Sequence, residues 1–316
     1  MTILVTGGSG LVGRALQKLV ENDSTFVFLS SSDCDLRCEE KVEEIFEKYK
    51  PDTVVHLASI VAGLYGNMDN NYKFLIDNIK INTNILENCN KFKVKKLVNI
   101  LSTCIFPEQN EYNNLTYPLT SNQILNGKPH SSNAGYAHAK RLLYVGSKLL
   151  TNTSNIQVIN LIPTNLYGTN DNYNLHKSHV IPGLIHKIYL AQKTNTHLII
   201  KGSGKAKRQF LYVNDFANII LYFINTTLQN PFNALVVSPE KQSEITIKEL
   251  VYKLIKIFQF NGKIIFDTDY SDGQDLKTTD NTELLHYIPS FKFTSLDIGL
   301  SETIDYFIKH YDNVRK

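Results

Sequence analysis

The chain has 316 residues, 42% hydrophobic and 20% charged, with a formal net charge of +3 at pH 7. That length supports a large core in one or two domains, and so small and scattered a charge argues against a nucleic-acid surface. No stretch reaches the ~18 apolar residues of a membrane span, and a strand expected from residue 3 leaves no room for a signal peptide. Cys34, Cys38, Cys89 and Cys104 make neither a disulfide framework nor paired ligands at zinc spacing. A reducing, cytoplasmic setting with no bound metal is therefore expected.

Ile3-Leu4-Val5 is a short apolar run ending in Thr6-Gly7-Gly8-Ser9-Gly10-Leu11-Val12-Gly13, and helix-forming sequence follows at 14–20. Strand, glycine turn and helix form the setting that a dinucleotide-binding turn requires. Gly7, Gly10 and Gly13 suit a tight turn, close approach to a pyrophosphate, and close packing of helix on strand. The anion would rest on the helix N-terminus, where free amides and the dipole favour negative charge. The next strand, 26–29, runs into Ser30-Ser31-Ser32-Asp33. Three serines and no carboxylate at the tip itself favour NADP(H) over NAD, although no arginine stands there and Arg14 is only near in sequence. Asp35-Leu36 either covers the adenine edge or forms an Asx turn or helix cap.

A helix is expected over 39–49, a strand over 53–57, a long helix over 72–90 and a strand over 96–101. Ser102 and Cys104 follow that strand directly. The next helix carries Tyr136-Ala137-His138-Ala139-Lys140, a spacing that puts the phenol and the ammonium on one face. An ammonium beside a phenol favours phenolate, which would let Tyr136 exchange a proton near neutral pH. Ser102 can hold the same oxygen from the other side. A strand over 157–161 ends at Pro163-Thr164-Asn165. This alternation predicts a doubly wound parallel α/β sheet, with ligands beyond the carboxyl ends of its strands.

Past residue 165 the alternation loosens. A helix over 179–192 precedes an apolar run at 198–200 and Lys201-Gly202-Ser203-Gly204. Arg208 and Tyr212 lead into a helix over 215–226. A strand at 234–237, a helix at 246–258, a strand at 263–266 and a helix over 296–311 follow, the last capped by Thr294 or Ser295. The expected division is a dinucleotide-binding domain at 1–164 with roughly 208–236, and a smaller C-terminal α/β substrate domain at 165–207 and 237–316.

Taken together, these segments resemble the extended short-chain dehydrogenase/reductase family, a Rossmann-fold family. The resemblance covers nearly the whole chain. It rests on residues 5–13, Leu101-Ser102-Thr103-Cys104-Ile105-Phe106-Pro107, the Tyr136–Lys140 segment, Pro163-Thr164-Asn165-Leu166-Tyr167-Gly168, Asp171-Asn172, His179-Val180-Ile181-Pro182 and Ser271-Asp272-Gly273. The Ser-x-Cys and His-Val-Ile-Pro segments point to the branch that inverts carbons 3 and 5 of GDP-4-keto-6-deoxy-D-mannose and then reduces carbon 4.

The resemblance implies Ser102, Tyr136 and Lys140 for the reduction, and Cys104 with His179 for the inversions. A thiol and an imidazole can both cycle protons around neutrality, and we read Cys104 as the base and His179 as the acid on the opposite face. The cofactor set is Gly7, Gly8, Ser9, Gly10, Leu11, Val12, Gly13, Ser31, Asp35, Leu36, Leu57, Ala58, Tyr136, Lys140, Pro163, Thr164, Asn165, Leu166 and His179. The nucleotide-sugar would meet Ser102, Cys104, Asn165, Lys187, Lys201, Arg208 and Asp272. Homodimerisation through the Tyr136 helix and the long helix before strand four is also implied. Two departures stand out: Lys201 where the family commonly has tryptophan, which removes an aromatic stacking surface, and Gly168-Thr169-Asn170 in place of Gly-Pro-His. The rivals are a 4-epimerase or 4,6-dehydratase of the same fold, or a non-catalytic NADP-binding sensor. Cys104-Ile105, where dehydratases resemble one another in an acidic pair, argues against dehydration.

Overall fold

The computed structural model describes residues 1–109, 115–270 and 272–316; Ser271 of the quoted motif lies outside them. The first half runs β1 (Ile3–Thr6), α1 (Leu11–Leu19), β2 (Phe26–Leu29), α2 (Glu39–Tyr49), β3 (Thr53–His56), α3 (Leu64–Lys91), β4 (Lys96–Ile100), α4 (Ala134–Thr153) and β5 (Gln157–Pro163). Then come β6 (Asn165–Tyr167), α5 (Val180–Thr194), β7 (Leu198–Lys201), β8 (Lys207–Arg208), β9 (Phe210–Tyr212), α6 (Val213–Asn225) and β10 (Phe232–Val237). The remainder is β11 (Ile245–Thr246), α7 (Ile247–Phe258), β12 (Ile264–Asp267), α8 (Thr282–Tyr287) and α9 (Leu296–Lys309).

Six strands form one parallel sheet in the order β10-β5-β4-β3-β1-β2. Strand periodicity explains how it is covered. Ile3 and Val5 point into a cluster with Leu16 of α1 and Phe216 and Ile220 of α6. Leu4, between them, points the other way, against Val42 and Phe46 of α2 and Ile81 and Ile85 of α3. A strand apolar on both faces must be covered on both, and helices do so here. The strand order reverses between β1 and β3, which opens a crevice at their carboxyl ends.

A second core gathers α5, α7 and α9 around Tyr167, Phe210, Tyr212 and Phe307. Two small parallel pairs, β6 with β9 and β7 with β12, support it. Ser295, not Thr294, caps α9, accepting from the Ile298 amide at 3.4 Å. Thr294 instead donates to buried Asp215 at 2.8 Å, tying α9 to α6. Helix α3 starts eight residues before its expected first residue, 72, and is kinked at Asn70 (φ −126°, ψ 19°). Among the described residues, no helix is long and apolar enough to cross a membrane.

Candidate active site

The turn after β1 is built for a diphosphate. Gly7 adopts φ 74°, in the left-handed region where a side chain is strained. The Gly8 amide donates to Leu29 O at 2.7 Å and the Gly10 amide to Gly7 O at 3.0 Å, folding the turn onto β2. Gly10 is the N-cap of α1 and offers no side-chain cap, so the first amides of the helix face outward. Ser9 is exposed, whereas Leu11 and Val12 pack against the core. A Cβ at Gly13 would lie 2.4 Å from Gly8 O and 2.5 Å from Gly7 O. Gly13→Ala must therefore push the turn off the helix. At about 1–3 kcal/mol for such overpacking, dinucleotide affinity is expected to fall roughly 5- to 150-fold, as read by fluorescence titration.

At the tip of β2, Asp33 accepts from the Ser30 amide at 2.7 Å and the Ser30 hydroxyl at 2.6 Å. Ser31 is exposed beside them. Asp35 forms an Asx turn, accepting from the Arg37 amide at 3.1 Å and from its guanidinium twice at 2.9 Å. Those bonds hold the Asp35 carboxyl down at about 2. Arg37, absent from the sequence reading of this tip, also approaches Asp77 at 3.5 Å. Leu36 is buried in the core, its carbonyl held by Asn84 at 2.9 Å.

Across the crevice, Leu57 and Ala58 follow β3. The Ala58 amide donates to the Thr6 hydroxyl at 3.3 Å. Thr6 also meets His56 Nδ1 at 2.8 Å, and His56 Nε2 meets Asn82 Oδ1 at 3.1 Å. Asn82 donates onward to Ala139 O on α4 at 3.0 Å. An asparagine oxygen can only accept, so Nε2 carries the proton and Thr6 donates to Nδ1. Burial, reinforced by the charge of Lys140, drives the His56 pKa down to about 3, keeping it a neutral strut.

Ser102 leaves β4 and caps a 3-10 turn over Thr103–Ile105, its hydroxyl accepting from the Cys104 amide at 3.3 Å. Cys104 is buried in one cluster with Ile105 and Tyr136. Tyr136 and Lys140 share a face of α4, as the spacing predicts. Lys140 Nζ donates to Ile100 O at 2.7 Å and lies 5.7 Å from the Tyr136 ring centre. Burial lowers the Lys140 pKa to about 8, with the Cys104 charge pulling it back up. The expected lowering of Tyr136 is not found. Burial pushes its phenol well up, Cys104 adds to that, and a hydrogen bond with Ser59 opposes it. Desolvation of the phenolate dominates.

Ser59 begins the loop that leads into α3. At its far end Gly63 donates to Lys177 O at 2.9 Å and packs against Ser178. This brings the next residue, His179, to the N-cap of α5. His179 is exposed at the protein surface, yet desolvation by the protein packed around it lowers its pKa from the ordinary histidine value. Pro163 closes β5. Thr164 Oγ1 beside it is buried with no partner among the described residues, a polar atom placed to meet a ligand. Asn165 donates to Gln209 O at 3.0 Å, and Leu166 packs on the main core. The glycine cradle and this unsatisfied hydroxyl fit a dinucleotide.

The remaining residues belong to the C-terminal half of the chain. Lys187 has its pKa lowered by burial and then by the charge of Lys201. Lys201 Nζ lies 4.6 Å from the Tyr65 ring centre and 4.3 Å from that of Tyr270. Two tyrosine rings thus flank the position where the family commonly has tryptophan. Arg208 donates to Lys207 O at 2.7 Å; burial lowers its pKa, opposed by Asp275, Glu244, Asp272 and Tyr117. Asp272 is engaged within the protein, accepting from the Ser203 amide at 2.7 Å and hydroxyl at 2.5 Å. A cavity of about 310 Å³ opens between Leu64, Asn71, His130, Ser132 and Gly273. Glu108, His130 and Lys277 nearby carry no local motif that would have identified them.

Residues 3–234 match the model of the NAD dependent epimerase/dehydratase family. The chain is 43% identical to GDP-L-fucose synthase of Dictyostelium discoideum, over 100% of this chain and 98% of the relative. It is 36% identical to the probable GDP-L-fucose synthase of Drosophila melanogaster, over 99% of each. Its fold superposes on a GDP-L-fucose synthetase from Naegleria fowleri bound to NADP with a TM-score of 0.91, at 38% identity, covering 100% of this chain and 95% of that one.

Proposed function

The chain belongs to the NAD dependent epimerase/dehydratase family, and on that premise we infer that it acts as the GDP-L-fucose synthases it is similar to, with NADP(H) as cofactor. The reaction is inversion of carbons 3 and 5 of GDP-4-keto-6-deoxy-D-mannose, followed by reduction of the 4-ketone. The observation that carries this reading is Cys104, held two residues past Ser102 and buried in one cluster with Tyr136. Inversion at carbons 3 and 5 needs a proton-cycling group beside the ketone, which a thiol there supplies and a simple reductase or 4-epimerase does not require.

The 4-ketone acidifies the hydrogens on both neighbouring carbons. Cys104, as thiolate, takes one such proton, the electrons pass to the ketone oxygen, and Ser102 and Tyr136 stabilise the enolate by hydrogen bonding. His179, as imidazolium, returns a proton from the opposite face. Both groups regain their starting state by exchange with water. NADPH, when bound, supplies a hydride to carbon 4. Tyr136 gives the ketone oxygen its proton, and Lys140 orients the cofactor ribose. Gly7–Gly13 would hold the pyrophosphate, and Pro163–Leu166 would flank the nicotinamide. Lys187, Lys201 and Arg208 supply cations for the sugar diphosphate.

A division at 1–164 with 208–236, against 165–207 with 237–316, is part of the proposal, as is a cytoplasmic homodimer paired through α3 and α4. Leu142, Val145 and Leu149 of α4 are exposed, and their spacing makes one apolar stripe suited to that contact. The direct assay mixes enzyme, GDP-4-keto-6-deoxy-D-mannose and NADPH. Absorbance at the nicotinamide band should fall while GDP-L-fucose forms. No loss of absorbance, or a reduced product with carbons 3 and 5 unchanged, would overturn the assignment.

A further inference from the structure

We propose that Lys277 is a positioning residue for the inversions, its ammonium favouring the thiolate form of Cys104. This rests on the reading of Cys104 as the base. Lys277 sits on a strap, residues 272–280, that crosses from the β7 turn to the wall of the Cys104 cluster. The strap is fixed on both sides of Lys277. Leu276 O accepts from the Tyr117 hydroxyl at 3.1 Å, and Thr278 O accepts from the Leu119 amide at 2.8 Å. Leu119 belongs to the same buried cluster as Cys104 and Tyr136. Farther along, the Thr279 amide and hydroxyl both donate to Gln209 Oε1 at 2.9 Å. Asp275 O accepts from the Lys207 amide at 2.9 Å, which sets Arg208 beside the strap.

Three cations act on Cys104: Lys277 most strongly, then Lys140 and Arg141. The last two are held by carbonyls. Lys140 donates to Ile100 O at 2.7 Å, and Arg141 donates to Ile105 O at 2.7 Å and Gly127 O at 2.6 Å. No hydrogen bond among the described residues claims the Lys277 ammonium. Burial pushes the Cys104 thiol up, against these cations and the hydrogen bond with Ser102, while Tyr136 faces it across the cluster. Around Lys277 itself stand Arg208, Cys104 and Glu108, with His130 alongside. Burial and then Arg208 lower its pKa to about 8, opposed by Cys104 and Glu108, so it is charged at neutral pH and a thiolate at Cys104 helps it keep its proton. An isolated thiol ionises near ~8.5. A buried one without a compensating cation would remain neutral and could not remove a carbon-bound proton.

The test follows iodoacetamide alkylation of the Cys104 peptide against pH by mass spectrometry, in full-length enzyme. Lys277→Met should move the midpoint upward by about one pH unit and slow solvent-deuterium incorporation at carbons 3 and 5 about tenfold at pH 7. Lys277→Arg, which keeps a permanent charge, should restore the wild-type midpoint. Should the Met variant fail to bind NADPH, Lys277→Gln gives the same readout. An unmoved midpoint overturns the proposal. If KM also rises, Lys277 is instead a ligand of the sugar diphosphate. Failure of the underlying reading is distinguishable, because Cys104→Ser would then retain full exchange at both carbons whatever Lys277 does to the thiol.

Discussion

Tyr136→Phe is expected to lower kcat for reduction about 10²- to 10⁴-fold while NADPH binding survives. The variant keeps the ring in its buried cluster and removes only the hydroxyl that protonates the ketone oxygen. Burial raises the Tyr136 pKa well above the ordinary phenol value, so near neutral pH the group carries its proton and serves as a donor. Lys140 adds a pH dependence of definite sign. Its pKa is lowered to about 8 by burial, so the ammonium prevails below that pH and disappears above it. Wild-type reduction should therefore decline as pH rises through about 8. Both effects are read from the nicotinamide absorbance under saturating substrate, with binding checked separately by fluorescence. Unchanged turnover in the Phe variant would remove Tyr136 from its role and revive the reading of the chain as a dinucleotide-binding sensor.

The central sheet was readable because its signals are local. Ile3-Leu4-Val5 followed by a glycine turn can hardly be anything but a buried strand feeding a helix, and four-residue spacing alone puts Tyr136 and Lys140 on one face. The first turns of α3 were not readable. Tyr65 to Asn71 is polar and broken by Gly66, so those residues are helical only because the fold holds them: Asn71 accepts from the Gly135 amide of α4 at 2.9 Å. Asp35 was ambiguous for a similar reason. Its partner Arg37 is adjacent, but the second carboxylate steering that arginine, Asp77, comes from α3.

The surroundings of Lys201 and Lys277 depend still more on long-range return of the chain. Lys201, read as the loss of an aromatic platform, meets Tyr65 and Tyr270 from segments far to either side of it. The strap that carries Lys277 returns to the cluster of Cys104 across more than 150 residues of sequence, its register set by Leu119 and Gln209. No periodicity or spacing encodes such a pairing. A residue pattern can nominate a thiol after a strand, but only the fold brings the strap to the cluster that holds it.

Cys104→Ser should separate the two halves of the reaction. A serine hydroxyl is far too weak an acid to provide an oxyanion near neutral pH, so proton removal at carbons 3 and 5 is expected to slow about 10²- to 10⁴-fold. The substitution is gentle structurally, because the backbone amide of residue 104 keeps its bond to the Ser102 hydroxyl. Tyr136 and Lys140 remain, and hydride transfer to an uninverted ketone stays possible. The variant should consume NADPH slowly and release product with the wrong configuration at carbon 3 or 5. Solvent deuterium at those carbons, followed by NMR, is the direct measure. His179→Gln should differ in kind: Cys104 can still remove and return a proton on its own face, so exchange persists there while inversion stops. If Cys104→Ser incorporates deuterium as fast as the parent enzyme, the base lies elsewhere and the thiol belongs to the core.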